Sequence, residues 1–107
     1  MAAKLLLVED DVLLSSMLTS ILQDNGFSVC LCEDVQSAME VGYEEHFDLY
    51  IFDVKLPSGK AQKVDSRAES NGFTLLRYLR DIGKSTPAIM LTSLSQANDV
   101  KEGFCRL

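Results

Sequence analysis

Acidic side chains close two of the most apolar stretches of the sequence. Glu9 and Asp10 directly follow the run Lys4–Val8, and Asp53 directly follows the run 50–52. Short apolar runs rich in branched and aromatic residues are typical of strands that are buried on both faces of a parallel sheet. An acid at the end of such a strand lies where open α/β sheets bind their ligands.

A hydroxyl side chain, that of Thr92, ends a further apolar run at 87–91. Because the carboxyl ends of parallel strands meet at one edge of a sheet, Glu9, Asp10, Asp53 and Thr92 are expected on one rim. Carboxylates, carbonyls and waters are the oxygen ligands that Mg²⁺ prefers. With the negative charge offset by the cation, Asp53 can attack a phosphoryl group, and Thr92 can donate a hydrogen bond to a phosphoryl oxygen.

The elements that must position these side chains alternate along the chain. Asp11 is a predicted N-cap, and Asn25 and Gly26 a predicted helix stop. Strands separated by helices require parallel pairing and right-handed crossovers, which predicts a doubly wound α/β sheet. The predicted elements are strands at 4–8, 27–32, 50–53 and 87–92, and helices at 12–22, 34–43, 72–81 and 96–104.

Two further expectations concern side chains away from the rim. The Met and Leu positions of the first helix recur at helical spacing, so they are predicted to belong to the core. The segment 58–71 is polar and has no apolar period, which predicts a long mobile loop inserted in a domain that spans 1–107.

Composition narrows the function. The chain has 107 residues, 47% of them hydrophobic and 24% charged, as expected of one globular domain. A net charge of −6 argues against a direct contact with nucleic acid and favours a cation as ligand. No apolar run approaches the roughly 20 residues of a membrane helix, and no signal-peptide core is present, so a cytoplasmic location is expected.

The cysteines Cys30, Cys32 and Cys105 have no metal-ligating spacing. Cys30 and Cys32 are predicted to point to opposite faces of one strand and to be unable to form a disulfide with each other. They are interpreted as reduced thiols, which suits the cytoplasm.

With these motifs in place, the sequence resembles the receiver domain of bacterial two-component response regulators. The resemblance rests on the segments 5–11, 48–57, 72–76 and 87–93. It implies a flavodoxin-like fold with strand order 2-1-3-4, and a signalling module rather than a turnover enzyme. It also implies a sensor histidine kinase as phosphodonor and an output domain or downstream protein as the receiver of the signal.

The resemblance assigns roles position by position. Asp53 would be the phosphoacceptor and Thr92 the switch hydroxyl. Asp10, Asp53 and the backbone carbonyl of Lys55 would bind Mg²⁺ directly, and Glu9 would act through a water molecule.

The sequence departs from the family pattern in two places. The insertion 58–71 lies next to the rim, and Leu107 precedes the fifth strand, which in the family carries an aromatic residue and a lysine. The chain is therefore interpreted as a C-terminally incomplete receiver. With the fifth strand missing, the fourth strand is expected to present an open edge through which the chain can dimerise.

The sequence fits three other functions less well than phosphorylation-dependent signalling. A pseudo-receiver, which binds proteins without being phosphorylated, remains the alternative, although such domains usually lose one of the acids. A phosphatase of the haloacid dehalogenase type needs a second acid at the position of Lys55. A flavin- or nucleotide-binding module would need a Gly- or Ser/Thr-rich first loop, whereas Glu9, Asp10 and Asp11 would repel phosphate.

Overall fold

The computed structural model describes residues 2–56 and 71–91, in which strands and helices alternate as predicted. The strands are β1 (Lys4–Val8), β2 (Ser28–Cys32), β3 (Leu49–Asp53) and β4 (Ala88–Leu91), and the helices are α1 (Val12–Asp24), α2 (Val35–Glu44) and α3 (Gly72–Asp81). The predicted helix at 96–104, most of the predicted loop at 58–71, and Thr92 lie outside the described residues.

The strands form one parallel sheet in the order β2-β1-β3-β4. This confirms the predicted flavodoxin-like strand order. In the register of the sheet, Leu6 of β1 lies between Cys30 of β2 and Tyr50 of β3. Tyr50 in turn pairs with Ala88 of β4. The carboxyl ends of all four strands therefore lie along one edge.

The core lies on the side of the sheet that α2 and α3 cover. Alternation along the strands points Leu6, Val8, Tyr50 and Phe52 to this side, where none of them is exposed. The rings of Tyr50 and Phe52 stack with their centroids 5.0 Å apart. Leu75 and Leu79 of α3 complete this core, also without exposure.

Each helix begins at a polar N-cap. The side chain of Asp11 accepts a hydrogen bond from the backbone N–H of Leu14, as predicted, and Asp34 caps α2 in the same way. Asn71 caps α3. The predicted stop after α1 is confirmed, since Gly26 follows the helix with a φ of 91°, a conformation that glycine adopts without steric cost.

The prediction that the Met and Leu positions of α1 belong to the core is wrong for Leu13 and Met17. Val12 and Leu13 are 74% and 72% exposed, and Met17 and Ile21 are each 53% exposed. The helix packs against β1 and β2, and no described helix lies beside it over β3 and β4. Helical periodicity shows which apolar residues share one face of a helix. How many of them are buried depends on the elements that pack against that face.

The predicted orientation of the cysteines is also wrong. Residues two apart in a strand share a face, and Cys30 and Cys32 both pack on the core side of β2. Both are free thiols. Burial is the main cause that raises the pKa of Cys32 to about 12, and the neighbouring Cys30 is the second cause. The reactive thiolate form of Cys32 is therefore disfavoured.

No helix in the described ranges is both long and apolar enough to cross a membrane.

The hydroxyl of Tyr50 generates a prediction about stability. This side chain is fully buried, and its Oη has no hydrogen-bond partner among the described residues. Since a buried polar group without a partner costs about 1–3 kcal/mol, Tyr50→Phe should raise the free energy of unfolding by about 1 kcal/mol. Urea unfolding followed by circular dichroism measures the change.

Tyr43→Phe is the matched control, because Tyr43 is 63% exposed and its hydroxyl reaches water. That variant should match the wild type. A loss of stability in Tyr50→Phe alone would show that the hydroxyl has a partner.

Candidate functional site

The register of the sheet brings two acids together at its carboxyl edge. Val8 pairs with Phe52, so the residues that follow them, Glu9 and Asp53, lie side by side. The backbone N–H of Glu9 still donates to the carbonyl of Cys32 at 3.1 Å, which ties the first residue after β1 to β2. The positions of both carboxylates are therefore set by strand pairing rather than by a free loop.

Glu9, Asp10 and Asp53 form one acidic cluster. Each offers a carboxylate oxygen, and these oxygens all lie within 4.8 Å of one another. Glu9 and Asp53 are each only 2% exposed, whereas Asp10 is exposed. The structure thus brings together the three predicted acids on one rim, two buried and one open to solvent.

Two oxygens of this cluster are buried without a hydrogen bond. They are Oε1 of Glu9 and Oδ1 of Asp53, for which no partner exists among the described residues. The other oxygen of Glu9, Oε2, accepts the backbone N–H of Asp11 at 3.0 Å. Buried polar atoms are nearly always paired, so these two oxygens indicate a group that binds in the cluster.

The electrostatics of the cluster favour the uncharged carboxyls. Burial raises the pKa of Asp53, the Asp10 carboxylate raises it further, and the backbone N–H groups of Lys55 and Val54 act against this. Burial also raises the pKa of Glu9, against the hydrogen bond from the Asp11 backbone. Both shifts have the direction expected of acids that lie together without a counter-charge.

Helix α3 is held close to Asp53 by a glycine. The backbone N–H of Gly72 donates to the carbonyl of Val54 at 2.8 Å. A Cβ atom at Gly72 would lie 2.2 Å from the carbonyl oxygen of Asp53 and 2.8 Å from Cε of Met90. Only glycine fits this contact without a backbone shift. Sequence reasoning used Gly72 as a helix start and missed its contact with Asp53, for which no signal exists in the local pattern.

The two remaining predicted site residues are Lys55 and Thr92. The side chain of Lys55 is exposed, and its backbone N–H acts to lower the pKa of Asp53. Thr92 lies just beyond Leu91, the residue of β4 that pairs with Asp53, and outside the described part of the chain.

A parallel α/β sheet with acids gathered at the carboxyl ends of neighbouring strands defines the class of doubly wound proteins that bind ligands at this edge. Within that class, the chain belongs to the response regulator receiver domain family, whose model matches residues 5–105.

Curated relatives have similar sequences over most of this chain. The transcriptional regulatory protein RprY of Bacteroides fragilis is 32% identical over 94% of this chain and 38% of its own length. The two-component response regulator PhoP of Pseudomonas aeruginosa is 35% identical over 94% of this chain and 40% of its own length. The chain thus spans about two fifths of these relatives.

Solved structures share the fold. The chemotaxis response regulator CheY4 of Vibrio cholerae superposes with a TM-score of 0.72 at 28% identity, covering 98% of this chain and 80% of that one. The receiver domain of the sensor histidine kinase PA1611 of Pseudomonas aeruginosa gives a TM-score of 0.72 at 22% identity, over 94% and 75% of the two chains. A magnesium ion is coordinated in the active-site cleft of that neighbour.

The acidic cluster predicts that Asp53→Asn stabilises the metal-free protein at neutral pH. The pKa values of Glu9 and Asp53 are raised in the folded protein. Their protonated forms therefore stabilise the fold below about pH 4, where the same groups titrate in the unfolded chain. This stabilisation is lost as the pH rises through the pKa values of the folded state. Thermal melts in EDTA should show the variant and the wild type close together near pH 4 and the variant higher at pH 7. In a domain of this size, about 1 kcal/mol corresponds to about 4–8 °C.

Asp81→Asn is the control, since Asp81 is exposed at the end of α3. Added Mg²⁺ should raise the melting temperature of the wild type and of this control but not that of Asp53→Asn. An Asp53→Asn variant that is less stable than the wild type in EDTA at pH 7 would contradict the repulsion described above.

The contact at Gly72 predicts that Gly72→Ala is strongly destabilising. The added methyl group would meet backbone atoms of Asp53, which cannot move without disturbing β3. We expect a loss of about 2 kcal/mol or more, as for other overpacked sites, and a weaker affinity for Mg²⁺. Urea unfolding and a Mg²⁺ titration measure the two effects.

Gly42→Ala is its matched control. A Cβ atom there would lie 2.7 Å from Cδ2 of Leu79, the end of a side chain that can rotate. This variant should lose less stability and keep the Mg²⁺ affinity. Equal effects of the two substitutions would show that the closeness of Gly72 to Asp53 is unimportant.

Proposed function

We propose that this chain is a phosphorylation-dependent receiver of a two-component system, in which Asp53 accepts a phosphoryl group from a histidine kinase. The observation that carries the proposal is the cluster of Glu9, Asp10 and Asp53, with its two buried oxygens that lack partners. Membership of the receiver family supports the same reading.

Mg²⁺ fits this cluster. Asp10, Asp53 and the backbone carbonyl of Lys55 would bind it directly, and Glu9 would act through a water molecule. The closely spaced carboxylate oxygens are hard ligands, and a cation would offset the burial and the neighbouring charges that raise the pKa values of Glu9 and Asp53. When bound, the cation would neutralise charge on the acids and on the incoming phosphoryl group.

The chain's own residues account for the transfer. A carboxylate oxygen of Asp53 attacks the phosphorus atom, an oxygen–phosphorus bond forms, and the phosphorus–nitrogen bond of the phosphohistidine breaks. The electron pair stays on the histidine nitrogen, and the product is an aspartyl phosphate. The backbone N–H groups of Lys55 and Val54 act to lower the pKa of Asp53, which favours the carboxylate that attacks. Thr92 would donate its hydroxyl to a phosphoryl oxygen as the switch residue.

The same function implies a location and partners for this domain. The phosphodonor is a cytoplasmic sensor kinase, and the domain passes the signal on rather than turning over a substrate. The relatives RprY and PhoP are named as regulators and are more than twice as long as their matched segments. An output domain or a downstream protein would therefore act on the signal, while this acidic domain makes no direct contact with nucleic acid.

Acetyl phosphate with Mg²⁺ tests the chemistry without the kinase. Intact-mass spectrometry should show one phosphoryl adduct on the wild type and none on Asp53→Asn. The adduct should be lost on treatment with hydroxylamine, which cleaves acyl phosphates, and it should not form in EDTA.

Asp48→Asn is the matched control, because Asp48 lies at the opposite end of β3 and is exposed. It should be phosphorylated like the wild type. An adduct that persists in Asp53→Asn would remove Asp53 as the acceptor. A folded wild type that binds Mg²⁺ and forms no adduct with acetyl phosphate or with a phosphorylated kinase would identify the chain as a pseudo-receiver.

A further inference from the structure

The two carboxylate oxygens of Glu9 have different surroundings. Oε2 accepts the backbone N–H of Asp11 at 3.0 Å, whereas Oε1 is buried and has no partner among the described residues. Because the bond to Asp11 engages one oxygen of a side chain that is almost fully buried, it determines which oxygen remains free for a ligand. The hydrogen bond from Asp11 therefore orients one of the three carboxylates of the acidic cluster.

The first turn of α1 holds the donor of this bond in place. Asp11 is the N-cap of the helix, with an extended backbone at φ −77° and ψ 114°. Its Oδ1 accepts the backbone N–H of Leu14 at 3.1 Å, and its carbonyl accepts that of Ser15 at 2.9 Å. Asp11 thus binds the helix through its acceptors and Glu9 through its donor. Without the side-chain acceptor, an N–H group that the helix cannot pair internally would lose its partner, and the first turn would fray.

We propose that Asp11 is a positioning residue for the Mg²⁺ site and that it acts through Glu9. By capping α1, its side chain fixes the backbone N–H that orients the Glu9 carboxylate. Asp11 is exposed and is not one of the three acids of the cluster, so its role differs from that of a metal ligand. This inference rests on the proposed function, which identifies the ion as Mg²⁺.

Substitutions at Asp11 separate the effect of its cap from the effect of its charge. Asparagine and serine cap a helix about as well as aspartate and carry no charge, whereas alanine has no side-chain acceptor. All three replace an exposed side chain, so none of them leaves a cavity in the core. A role of the cap predicts that only alanine weakens Mg²⁺ binding. A role of the charge predicts that all three substitutions change the affinity alike.

Isothermal titration calorimetry with MgCl₂ on the full 107-residue chain measures these affinities. The dissociation constant should rise roughly tenfold in Asp11→Ala, the lower end of the loss that follows when a residue orienting a metal ligand is removed. Asp11→Asn and Asp11→Ser should lie closer to the wild type than to Asp11→Ala. Equal changes in all three variants would overturn the proposal, because the charge rather than the cap would then act on the site.

Asp34→Ala is the matched control. Asp34 caps α2 in the same way, since its Oδ1 accepts the backbone N–H of Ser37 at 2.7 Å and its carbonyl accepts that of Ala38 at 3.2 Å. Both alanine variants should melt at a lower temperature in EDTA, whereas only Asp11→Ala should bind Mg²⁺ more weakly. Weaker binding in both would show that a general loss of stability explains the effect, and the proposal would fail.

A double-mutant cycle tests whether Asp11 acts through Glu9. Glu9→Ala removes the acceptor of the hydrogen bond, so the addition of Asp11→Ala to that variant should leave the remaining Mg²⁺ affinity unchanged. A further loss as large as the one that Asp11→Ala causes alone would show that Asp11 acts on another part of the site.

Treatment of the same proteins with acetyl phosphate separates this inference from the proposed function. A wild type that binds Mg²⁺ more tightly than Asp11→Ala but forms no adduct would refute phosphorylation and support the role of Asp11. A phosphorylated wild type whose Mg²⁺ affinity equals that of Asp11→Ala would support phosphorylation and refute the role of Asp11. A wild type that binds no Mg²⁺ would overturn both.

Discussion

The parallel pairing of β1 with β3 forces two buried carboxylates together, and the chemistry of the molecule depends on this constraint. Glu9 and Asp53 follow paired residues of adjacent strands, so they cannot separate without breaking the ladder. Burial is the largest cause that raises the pKa of both, and the charges of neighbouring acids raise it further, so their charged forms are disfavoured. A fold that tolerates this arrangement is suited to a cation, because a cation removes the repulsion and satisfies the oxygens that lack partners.

The local structure around the acids keeps this geometry in place. Asp11 uses its own carboxylate to cap α1 and its backbone N–H to bind Glu9, so one residue both starts the helix and orients an acid. On the other side, Gly72 lets the first turn of α3 approach the backbone of Asp53. The contacts of Asp11 join residues that are close in sequence, whereas the contact of Gly72 with Asp53 joins residues that are far apart in sequence.

This difference explains what sequence reasoning could predict. The strands, the N-cap Asp11 and the clustering of Glu9 with Asp53 follow from short patterns and from the rule that parallel strands end at one edge. The exposure of Leu13 and Met17 was missed because periodicity does not reveal which neighbours cover a helix. The contact at Gly72 was missed because it joins α3 to β3 across a long insertion. The orientation of the cysteines was wrong because the period-two rule was misapplied, and the rule itself places them on one face.

The two faces of the sheet contribute unequally to the site. On the side of α2 and α3, the rings of Tyr50 and Phe52 stack on each other in the core cluster that includes Leu75, and they hold β3 next to Asp53. On the side of α1, Ile51 is only half-buried and Ile89 is exposed. The position of Asp53 is therefore set mainly by the packed face and by α3, both of which the described residues supply. Whatever covers the α1 side can add stability to β3 and β4, but the register that brings Glu9 to Asp53 is already determined without it.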